Sequence, residues 1–534
     1  MSGNDFSRKQ EKALERLSPF QLKNRLIELA QTDHERMMLN AGRGNPNWTA
    51  IAPRQAFFSL GRFAVSESNR TFALPSMGGH VDSKGMLDRF KKLLGEEPSD
   101  PGLIFLKQCL DYVKAELGLD PEGFLAELCD GIIGSHYPTP DRMLSQLEIV
   151  THKYLQQEMC AGDPPEGRFD LFATEGGTAA MCYIFNSLTE NKLLHHGDKI
   201  ALGTPIFTPY LEIPQLNDFE LLEVEVMGDE HNDWQVPFSE LDKLADPAVK
   251  AFFLVNPSNP GSSAMQKQSL GYLGKLVREK RQDLIILTDD VYGTFVNGFH
   301  SFMAVAPLNT ICVYSFSKYF GATGWRLGVI AIHQDNVFDK FIANLPQEDK
   351  DALSERYGSV TLDVASMKLI DRMVADSRAV ALNHTAGLST PQQVQMALFS
   401  LMGLLDKDNA YKKLAQQVVT QRFDDLYKSV EVAYTPNIND AHYYTTIDVL
   451  EIAEAKFGQD FAVWMKENFE PVDFVLRLAQ ERQVVLLPGA GFDSPDWTVR
   501  VSLANLDDEA YVNIGHEIKG LVKEYHDKWK ASAK

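Results

Sequence analysis

The sequence predicts an α/β protein with a mostly parallel central sheet and a smaller α+β domain that draws on both termini. Between about residues 168 and 335, short apolar runs alternate with helical stretches. Such runs, rich in Val, Ile, Leu and Phe, are typical of buried parallel strands joined by helices. The chain has 534 residues, which is more than one hydrophobic core usually serves, so we expect at least two domains.

The elements can be predicted in order along the chain. Apolar residues recur at helical spacing from about Lys9 to Leu39, and Ser18 followed by Pro19 predicts a helix start. A turn-prone loop follows from Asn40 to Trp48. Helical patterns also fill a segment of about 70–130 and another of about 334–378. The predicted strands are FDLFAT, DKIALG, ELLEVEV, AVKAFFLVN, DLIILTD, TICVYSF and RLGVIAI, then HYYTTIDV, VVLLPG and WTVRVSL in the C-terminal third.

Composition narrows the class of partner. Acidic residues number 73 against 52 basic ones, and the formal net charge is -21. Such a surface repels nucleic-acid phosphates and anionic lipids, so we expect neither nucleic-acid nor membrane partners. The five cysteines are odd in number and form no CxxC pair, which argues against a disulfide framework or a metal site. With a polar N-terminus that lacks an apolar signal segment, the sequence predicts a cytoplasmic protein.

The most informative segment surrounds Lys318. A predicted strand ends in Ser315 and Ser317, Lys318 follows, and Arg326 lies eight residues further on. In open α/β sheets, the carboxyl ends of strands are where ligands bind. A lysine that forms a Schiff base needs its amine held at one point, and a phosphate needs hydroxyl and guanidinium groups. The spacing therefore indicates a site for a phosphorylated carbonyl compound.

This segment resembles the aspartate aminotransferase family of fold-type I pyridoxal-phosphate (PLP) enzymes, which has the pattern SxSK with an arginine eight residues later. The resemblance implies that Lys318 carries PLP as a Schiff base and is the catalytic base. It also implies that Ser315, Ser317 and Arg326 bind the cofactor. The predicted domains are then 1–70, a helical segment with part of the small domain; 71–130, a helical insertion; 131–389, the large PLP-binding domain; and 390–534, the C-terminal small domain.

Two further motifs follow predicted strands in the order that the family has them. Gly176, Gly177 and Thr178 lie between a strand and a helix, where helix N–H groups favour an anion. The resemblance implies that they bind the cofactor phosphate. Phe207, in Thr204-Pro-Ile-Phe207, matches an aromatic residue that stacks on the pyridine ring.

Three residues match those that contact the pyridine ring of the cofactor in the family. Asn256, in NPSNPG, would hydrogen-bond the ring hydroxyl, as would Tyr292. Asp289 would face the protonated ring nitrogen, which pairs an otherwise costly buried carboxylate. Asp290 is the competing choice, although its spacing to Tyr292 fits the family less well.

Two matches concern the substrate and a second subunit. Arg500, in WTVRVSL, matches a strand arginine that binds the substrate α-carboxylate in bidentate fashion. Tyr137, in GSHYPTP, matches a tyrosine that reaches the cofactor phosphate of a neighbouring subunit. The resemblance thus implies a homo-oligomer, at least a dimer with shared active sites, and the helical insertions suggest a larger assembly.

Length and several blocks resemble one branch of the family, the aspartate 4-decarboxylases, which also have aminotransferase activity. The blocks are LSPFQLK, LNAGRGNPNW and LSTPQQVQMALFSL. The branch implies L-aspartate as substrate, with alanine and CO2 as products and transamination as a side reaction. The β-carboxylate needs a cation, for which Arg43 beside Gly44 is the first candidate and Lys23 the second.

Two alternatives remain open from the sequence. One is a plain aspartate or broad-specificity aminotransferase, which formation of CO2 would distinguish from the decarboxylase. The other is a regulator that reuses the fold, but that class needs a DNA-binding domain and a basic surface. The net charge of -21 argues against it.

Overall fold

The structure is a computed structural model, and it describes residues 8–31, 38–72, 74–228, 235–378, 380 and 387–532. The helices within these residues are α1 (Arg8–Glu15), α2 (Pro19–Ala30), α3 (Ala52–Arg70), α4 (Met86–Glu96), α5 (Pro101–Leu117), α6 (Pro121–Ile133), α7 (Ser145–Met159), α8 (Gly177–Glu190), α9 (Thr208–Leu211), α10 (Ile213–Leu216), α11 (Phe238–Asp242), α12 (Lys267–Glu279), α13 (Phe302–Val305), α14 (Val337–Ala343), α15 (Gln347–Tyr357), α16 (Leu369–Asp376), α17 (Thr390–Leu405), α18 (Ala410–Val430), α19 (Val449–Phe457), α20 (Gln459–Asn468), α21 (Pro471–Arg482) and α22 (Asp508–Ser532). The strands are β1 (Leu39–Asn40), β2 (Phe169–Thr174), β3 (Lys199–Thr204), β4 (Glu220–Glu225), β5 (Val249–Val255), β6 (Ile285–Asp289), β7 (Thr310–Ser315), β8 (Gly328–His333), β9 (Tyr444–Asp448), β10 (Val484–Val485), β11 (Leu487–Pro488) and β12 (Thr498–Ser502).

The chain divides into two compact units. Unit 1 comprises residues 1–47, 199–272 and 412–534, and unit 2 comprises residues 48–198 and 273–411. Both termini therefore belong to unit 1. The boundaries 1–70, 71–130, 131–389 and 390–534 stay a prediction.

Unit 2 is built on four strands in the order β2-β8-β7-β6. Strand β8 is antiparallel to both β2 and β7, whereas β6 and β7 are parallel. Consequently β2, β7 and β6 all point the same way, and their carboxyl ends lie at one edge. Every residue of β2, β7 and β8 is buried, as the continuous apolar runs predict.

A helical layer completes unit 2. The buried helix α17 packs against α7, α6 and α3, and α3 also packs against α5 and α6. Helices α4 to α6 lie in or next to the segment of about 70–130, so its predicted helical character is confirmed, whereas its status as an insertion stays a prediction. Asp100 and Asp120 cap α5 and α6 by accepting hydrogen bonds from main-chain N–H groups of the first turn.

Unit 1 contains a parallel set of strands in the order β5-β3-β4 and an antiparallel set in the order β11-β12-β9. The antiparallel set packs with α2, α18, α19, α21 and α22 around one apolar core. All ten predicted strands are present, so the predicted α/β class with an α+β part is confirmed.

The N-terminal helical pattern needs a correction. Helical spacing that extends to Leu39 is wrong, because α2 ends at Ala30 and Leu39 lies in β1. Ser18 does start α2 and forms a capping box with Gln21, as the Ser-Pro pair predicts. Leu39 pairs as a strand with Val484, a partner that no local pattern reveals. Residues 32–37 lie outside the described part of the chain.

Within the described residues, no helix combines the length and the apolar character that a membrane crossing requires. The same residues hold no group of three or more His, Cys, Asp or Glu side chains suited to a metal ion.

Candidate active site

Three parallel strands of unit 2 deliver the predicted residues to one edge. Thr174 and Ser315, the last residues of β2 and β7, pair with Gly328 from its two sides. Asp289, the last residue of β6, pairs with Val313 of β7. The loops that follow carry the glycine motif, Lys318 and Tyr292. Apart from Tyr137, the residues of this unit that the sequence assigned to the cofactor thus follow the carboxyl ends of these three strands.

The glycine motif opens helix α8. Gly176 precedes it with φ +92°, and Gly177 begins the helix. A Cβ atom at Gly176 would lie 2.4 Å from Nη2 of Arg326, so only glycine permits this close approach of the guanidinium. Thr178 is exposed in the first turn. N–H groups at the start of a helix of this length, with a guanidinium beside them, fit a phosphate.

Hydroxyl groups line the same place. Ser315 and Ser317 are each only 6% exposed, and Oγ of Ser315 donates to Oγ of Ser317 at 2.9 Å. Arg326 adopts a left-handed conformation with φ +55° and donates to the carbonyls of Thr323 (3.0 Å) and Glu175 (3.4 Å). Such a conformation costs an ordinary residue about 1–3 kcal/mol, and strain of this kind clusters at functional sites.

Lys318 lies in a tight turn just after these serines. Its carbonyl accepts from N–H of Gly321 at 3.2 Å, and the carbonyl of Ser317 accepts from N–H of Ala322 at 2.9 Å. The Lys318 side chain is half-buried. The turn therefore fixes the backbone from which the amine projects.

The two adjacent aspartates differ in their surroundings. Asp289 is 7% exposed, and its Oδ1 accepts from N–H of Val291 at 3.3 Å. Asp290 is fully buried, and its carboxylate accepts from Oγ1 of Thr288 and, at 3.3 Å, from Sγ of Cys312. Burial raises the pKa of Asp290 to about 7. Asp290 is therefore held by buried polar side chains of the strands.

Two of the predicted residues of unit 2 lie on other elements. Tyr292 is 3% exposed and precedes a 3₁₀ turn over Gly293–Phe295. Tyr137 lies in the loop between α6 and α7, and 66% of its surface is exposed. Its role depends on a second subunit and stays a prediction.

In unit 1, Phe207 and Asn256 follow the carboxyl ends of β3 and β5. Phe207 is half-buried and meets Tyr210 edge to face, with ring centroids 5.4 Å apart. Asn256 is 1% exposed, and its Oδ1 accepts from N–H of Met265 at 2.8 Å. Its Nδ2 is buried and has no hydrogen-bond partner among the described residues. A buried donor without an acceptor is rare in folded proteins and fits an oxygen atom of a ligand.

Arg500 is the central cation of unit 1. It lies on β12 at 4% exposure and donates to Oδ1 of Asn259 (3.1 Å) and to the carbonyl of Gly42 (2.9 Å). Its guanidinium carbon lies 4.3 Å from the ring centroid of Tyr444 and 4.5 Å from that of Phe492. Two rings and two neutral acceptors hold the planar fork in place, which suits it to bind a carboxylate.

The N-terminal loop is anchored beside Arg500. N–H of Ser502 donates to the carbonyl of Ala41 at 2.8 Å, and the hydroxyl of Tyr443 donates to the carbonyl of Gly44 at 2.8 Å. Arg43 follows Gly42 directly, and its side chain is exposed. The other candidate cation, Lys23, lies half-buried on α2, which packs against α21.

Sequence reasoning missed several partners of Arg500. Asn259 could have been found, because it is the second asparagine of NPSNPG. Tyr444 and Phe492 carry no local signal, since an aromatic residue near a strand is usually part of the core. The Gly42 carbonyl is invisible to any pattern of side chains.

Comparisons with known proteins agree with this geometry. Residues 173–516 match the family described as aminotransferase class I and II. A relative from Pseudomonas sp, named bifunctional aspartate aminotransferase and L-aspartate beta-decarboxylase, is 50% identical over 98% of this chain and 99% of its own length. An aspartate aminotransferase from Pyrococcus abyssi is 32% identical over 37% of this chain and 49% of its own length.

Solved structures share the fold. The aspartate aminotransferase from Rhizobium meliloti superposes with a TM-score of 0.59 at 15% identity, over 97% of this chain and 99% of its own. A double mutant of the aspartate aminotransferase from Thermus thermophilus gives 0.56 at 18% identity, over 98% and 100%.

The residues present fit PLP. Unit 2 offers a phosphate cradle at the start of α8, a lysine held in a turn and a buried carboxylate. The resemblance drawn from the motifs is confirmed. The chain belongs to the aminotransferase class I and II family and is a PLP-dependent enzyme.

Proposed function

We propose that this enzyme catalyses β-decarboxylation of L-aspartate to L-alanine and CO2, with aspartate transamination as a side activity. One observation carries the proposal: the 50% identity to the bifunctional Pseudomonas relative extends over 98% of the chain. Identity over this length includes the insertion helices α4 to α6 and the loop from Asn40 to Trp48.

Each residue of unit 2 receives a role from its surroundings. N–H groups at the start of α8, with Thr178, Ser315, Ser317 and Arg326, hold the cofactor phosphate. Lys318 would hold the cofactor, and its amine would be the base that takes the proton from the substrate α-carbon. When bound, PLP supplies an electron sink for the pair left on the substrate carbon.

The ring of the cofactor is assigned to four side chains. Asp289 would accept a hydrogen bond from the ring nitrogen and favour its protonated form, because a nearby carboxylate stabilises a positive charge. The amide of Asn256 and the hydroxyl of Tyr292 would bind the ring hydroxyl. Phe207 would pack against the ring.

Arg500 is the proposed partner of the substrate α-carboxylate. Its fork matches two carboxylate oxygens, and the rings of Tyr444 and Phe492 limit its rotation. The bond between the β-carbon and the β-carboxylate then breaks, the electron pair stays with the β-carbon, and a proton takes the place of CO2.

The β-carboxylate needs a cation that recognises it without holding its charge too strongly, because only stronger binding of the transition state accelerates the step. Arg43 is the first candidate and Lys23 the second. Arg43 is exposed on a loop that Arg500 itself anchors through Gly42.

The test is a product balance. The enzyme is incubated with aspartate and PLP, CO2 and alanine are quantified without added keto acid, and glutamate is quantified with 2-oxoglutarate. We expect CO2 and alanine in equal amounts and exceeding glutamate. Glutamate without CO2 would favour the alternative, a plain aminotransferase, for which the family match over residues 173–516 is the supporting observation.

Two variants test the roles. Lys318→Ala should abolish both reactions, and full turnover would contradict the assignment. Arg43→Ala should raise the KM for aspartate, whereas Arg25→Ala, an exposed arginine of α2 paired with Glu28 at 3.0 Å, should not. Equal kinetics of the two arginine variants would move the role to Lys23.

We further propose a cytoplasmic homo-oligomer, at least a dimer, in which Tyr137 reaches the cofactor phosphate of a neighbouring subunit. Tyr137 is exposed, and so are three apolar residues: Ile51, which precedes α3, and Phe58 and Val65 on α3; this exposure supports an interface in unit 2. The five free cysteines support a reducing compartment. Sedimentation analysis tests the assembly, and a monomer at assay concentration would contradict it.

A further inference from the structure

The three residues after Lys318 have their carbonyls held by an unusual set of donors in unit 2. The carbonyl of Tyr319 accepts from Nε1 of Trp48 at 3.1 Å and from the hydroxyl of Tyr411 at 2.8 Å. The carbonyl of Phe320 accepts from N–H of Ala50 at 3.1 Å. Together with the turn bonds of Ser317 and Lys318, these contacts fix the loop 317–322 on all sides.

Arg54, in the first turn of α3, completes the set. Its Nη1 donates to the carbonyls of Ala50 (2.6 Å) and Phe320 (3.1 Å), and its Nη2 donates to that of Gly321 (2.6 Å). All three acceptors are main-chain oxygens, and within the described residues Arg54 has no carboxylate partner. Its guanidinium carbon lies 5.2 Å from the ring centroid of Phe399.

The position of the Arg54 guanidinium carries a desolvation cost. Burial lowers the pKa of Arg54, so the protein desolvates a cation there without the counter-charge that usually offsets such burial. Three main-chain carbonyl oxygens, two of them in the loop after Lys318, compensate this burial. A charged fork that bridges two consecutive carbonyls restrains their relative orientation more than a single donor can.

The loop is also packed closely against the segment that begins at Trp48. Gly321 has φ +59°, and a Cβ atom built there would lie 1.9 Å from the carbonyl oxygen of Trp48. The segment from Trp48 to Arg54 therefore presses directly on the residues that follow Lys318.

We propose that Arg54 is a positioning residue for Lys318, holding the loop 319–321 so that the lysine amine stays where the cofactor and the substrate α-carbon need it. The inference rests on the proposed function, because it assumes that Lys318 bears the cofactor. Arg54 itself touches neither substrate nor cofactor in this proposal; it acts through the backbone.

The expected effect is on turnover more than on substrate binding. Misplacing a catalytic group by about 1 Å costs on the order of a hundredfold in rate. Lysine at position 54 keeps the charge but loses the fork, so we expect Arg54→Lys to lower kcat at least about tenfold. The KM for aspartate should change less than about twofold, because Arg500 is untouched.

Arg62→Lys is the matched control. Arg62 lies on the same helix, but it is exposed and pairs with Glu97 and Asp100. Four quantities are compared in the holoenzymes: kcat for aspartate, KM for aspartate, the pH midpoint of the absorbance change of bound PLP, and hydrogen exchange in peptides that contain residues 314–322. We expect Arg54→Lys to move the midpoint and to speed exchange in this loop, whereas Arg62→Lys leaves both as in the wild type. A lower melting temperature with unchanged midpoint, exchange and kcat would reduce Arg54 to a support of the fold and overturn the proposal.

If Arg54→Lys does not fold, a second pair of variants tests whether the loop 319–321 positions Lys318. Trp48→Phe and Tyr411→Phe each remove one donor to the same Tyr319 carbonyl. Since one donor remains in each single variant, we expect kcat to fall less than threefold in each and at least tenfold in the double variant. Simple multiplication of the two small effects would overturn the claim that this loop positions Lys318.

A separate experiment distinguishes failure of the role proposed for Lys318 from failure of the role proposed for Arg54. Borohydride reduction of the wild-type holoenzyme, followed by peptide mass analysis, locates the lysine that bears PLP. A modified lysine other than Lys318 would sink the role of Lys318 and this inference together. Modification of Lys318, combined with indistinguishable Arg54→Lys and Arg62→Lys enzymes, would sink only the inference.

Discussion

Replacement of Gly176 by alanine should damage the cofactor site in a way that can be separated from its effect on folding. Gly176 has φ +92° and ψ 168°, a region that is open almost only to glycine, so alanine should cost about 1–3 kcal/mol of folding free energy. Its Cβ would also lie 2.4 Å from Nη2 of Arg326. To reach an ordinary contact of 3.4 Å, the guanidinium must retreat by about 1 Å (3.4 − 2.4).

That retreat breaks the 3.4 Å hydrogen bond from Arg326 to the Glu175 carbonyl and displaces the cation from the start of α8. A hydrogen bond that involves a charged group contributes about 1.5–3 kcal/mol. Loss of one such bond to the cofactor phosphate would weaken PLP binding roughly ten- to hundredfold. The folding cost and the binding cost therefore have separate origins.

Gly458 supplies a matched control. It has φ +92° and ψ 162° at the start of α20, almost the same conformation as Gly176, and a Cβ atom there would meet nothing within 4 Å. Gly458→Ala therefore carries the backbone strain without the collision. The assay is titration of each apoprotein with PLP, with thermal unfolding of the apoproteins alongside.

We expect both variants to unfold at lower temperature and only Gly176→Ala to bind PLP more weakly. If Gly176→Ala bound PLP as tightly as Gly458→Ala does, the phosphate would not depend on Arg326 as positioned here. The assignment of Arg326 and the start of α8 to the cofactor phosphate would then be wrong, even if the enzyme were active.

Three other substitutions follow from the structure. Arg500→Lys keeps the charge but loses the fork, so steady-state kinetics should give a kcat/KM for aspartate that is roughly ten- to hundredfold lower; an unchanged value would contradict the clamp. Burial, followed by the nearby charge of Asp473, raises the pKa of Glu11 from 4.5 to about 7. The folded state therefore holds a proton that the unfolded state releases, and stability falls as pH rises from about 4.5 to 7. Glu11→Gln should remove this loss and melt above the wild type at pH 8 but not at pH 4, and equal melting temperatures at pH 8 would refute it. Gly321→Ala should lower the melting temperature and the yield of folded protein, because its Cβ would collide with the Trp48 carbonyl at 1.9 Å; a wild-type melting temperature would show that the loop can yield.

The strands could be predicted because their signal is local. Runs such as FDLFAT and TICVYSF are mostly apolar, and they became β2 and β7 with every residue buried. The cofactor motifs could be predicted for a related reason. Each motif consists of side chains that are close in sequence. Each also lies at the end of a strand that the apolar runs predict.

Contacts that use the main chain could not be predicted. Arg54 binds carbonyls more than 260 positions away, and Arg500 binds the carbonyl of Gly42 across 458 positions. A carbonyl is the same in every residue, so no residue type marks it as an acceptor. The pairing of Leu39 with Val484 was missed for the same reason, since both are ordinary apolar residues in their own neighbourhoods.

The choice between Asp289 and Asp290 depends partly on a local sequence signal and partly on the geometry of the folded strand. Spacing in the sequence favours Asp289 only by its distance to Tyr292, but strand geometry separates the two, because successive side chains point to opposite faces of a sheet. Asp289 pairs with Val313, and a Cβ at Gly177 would lie 3.7 Å from Val313 and Ser315, so Asp289 shares its face with the start of α8. Asp290 follows on the opposite face, that of Cys312, whose thiol donates to it at 3.3 Å. The alternation of one strand therefore puts one carboxylate on the face of the phosphate cradle and commits the other to the buried strand layer.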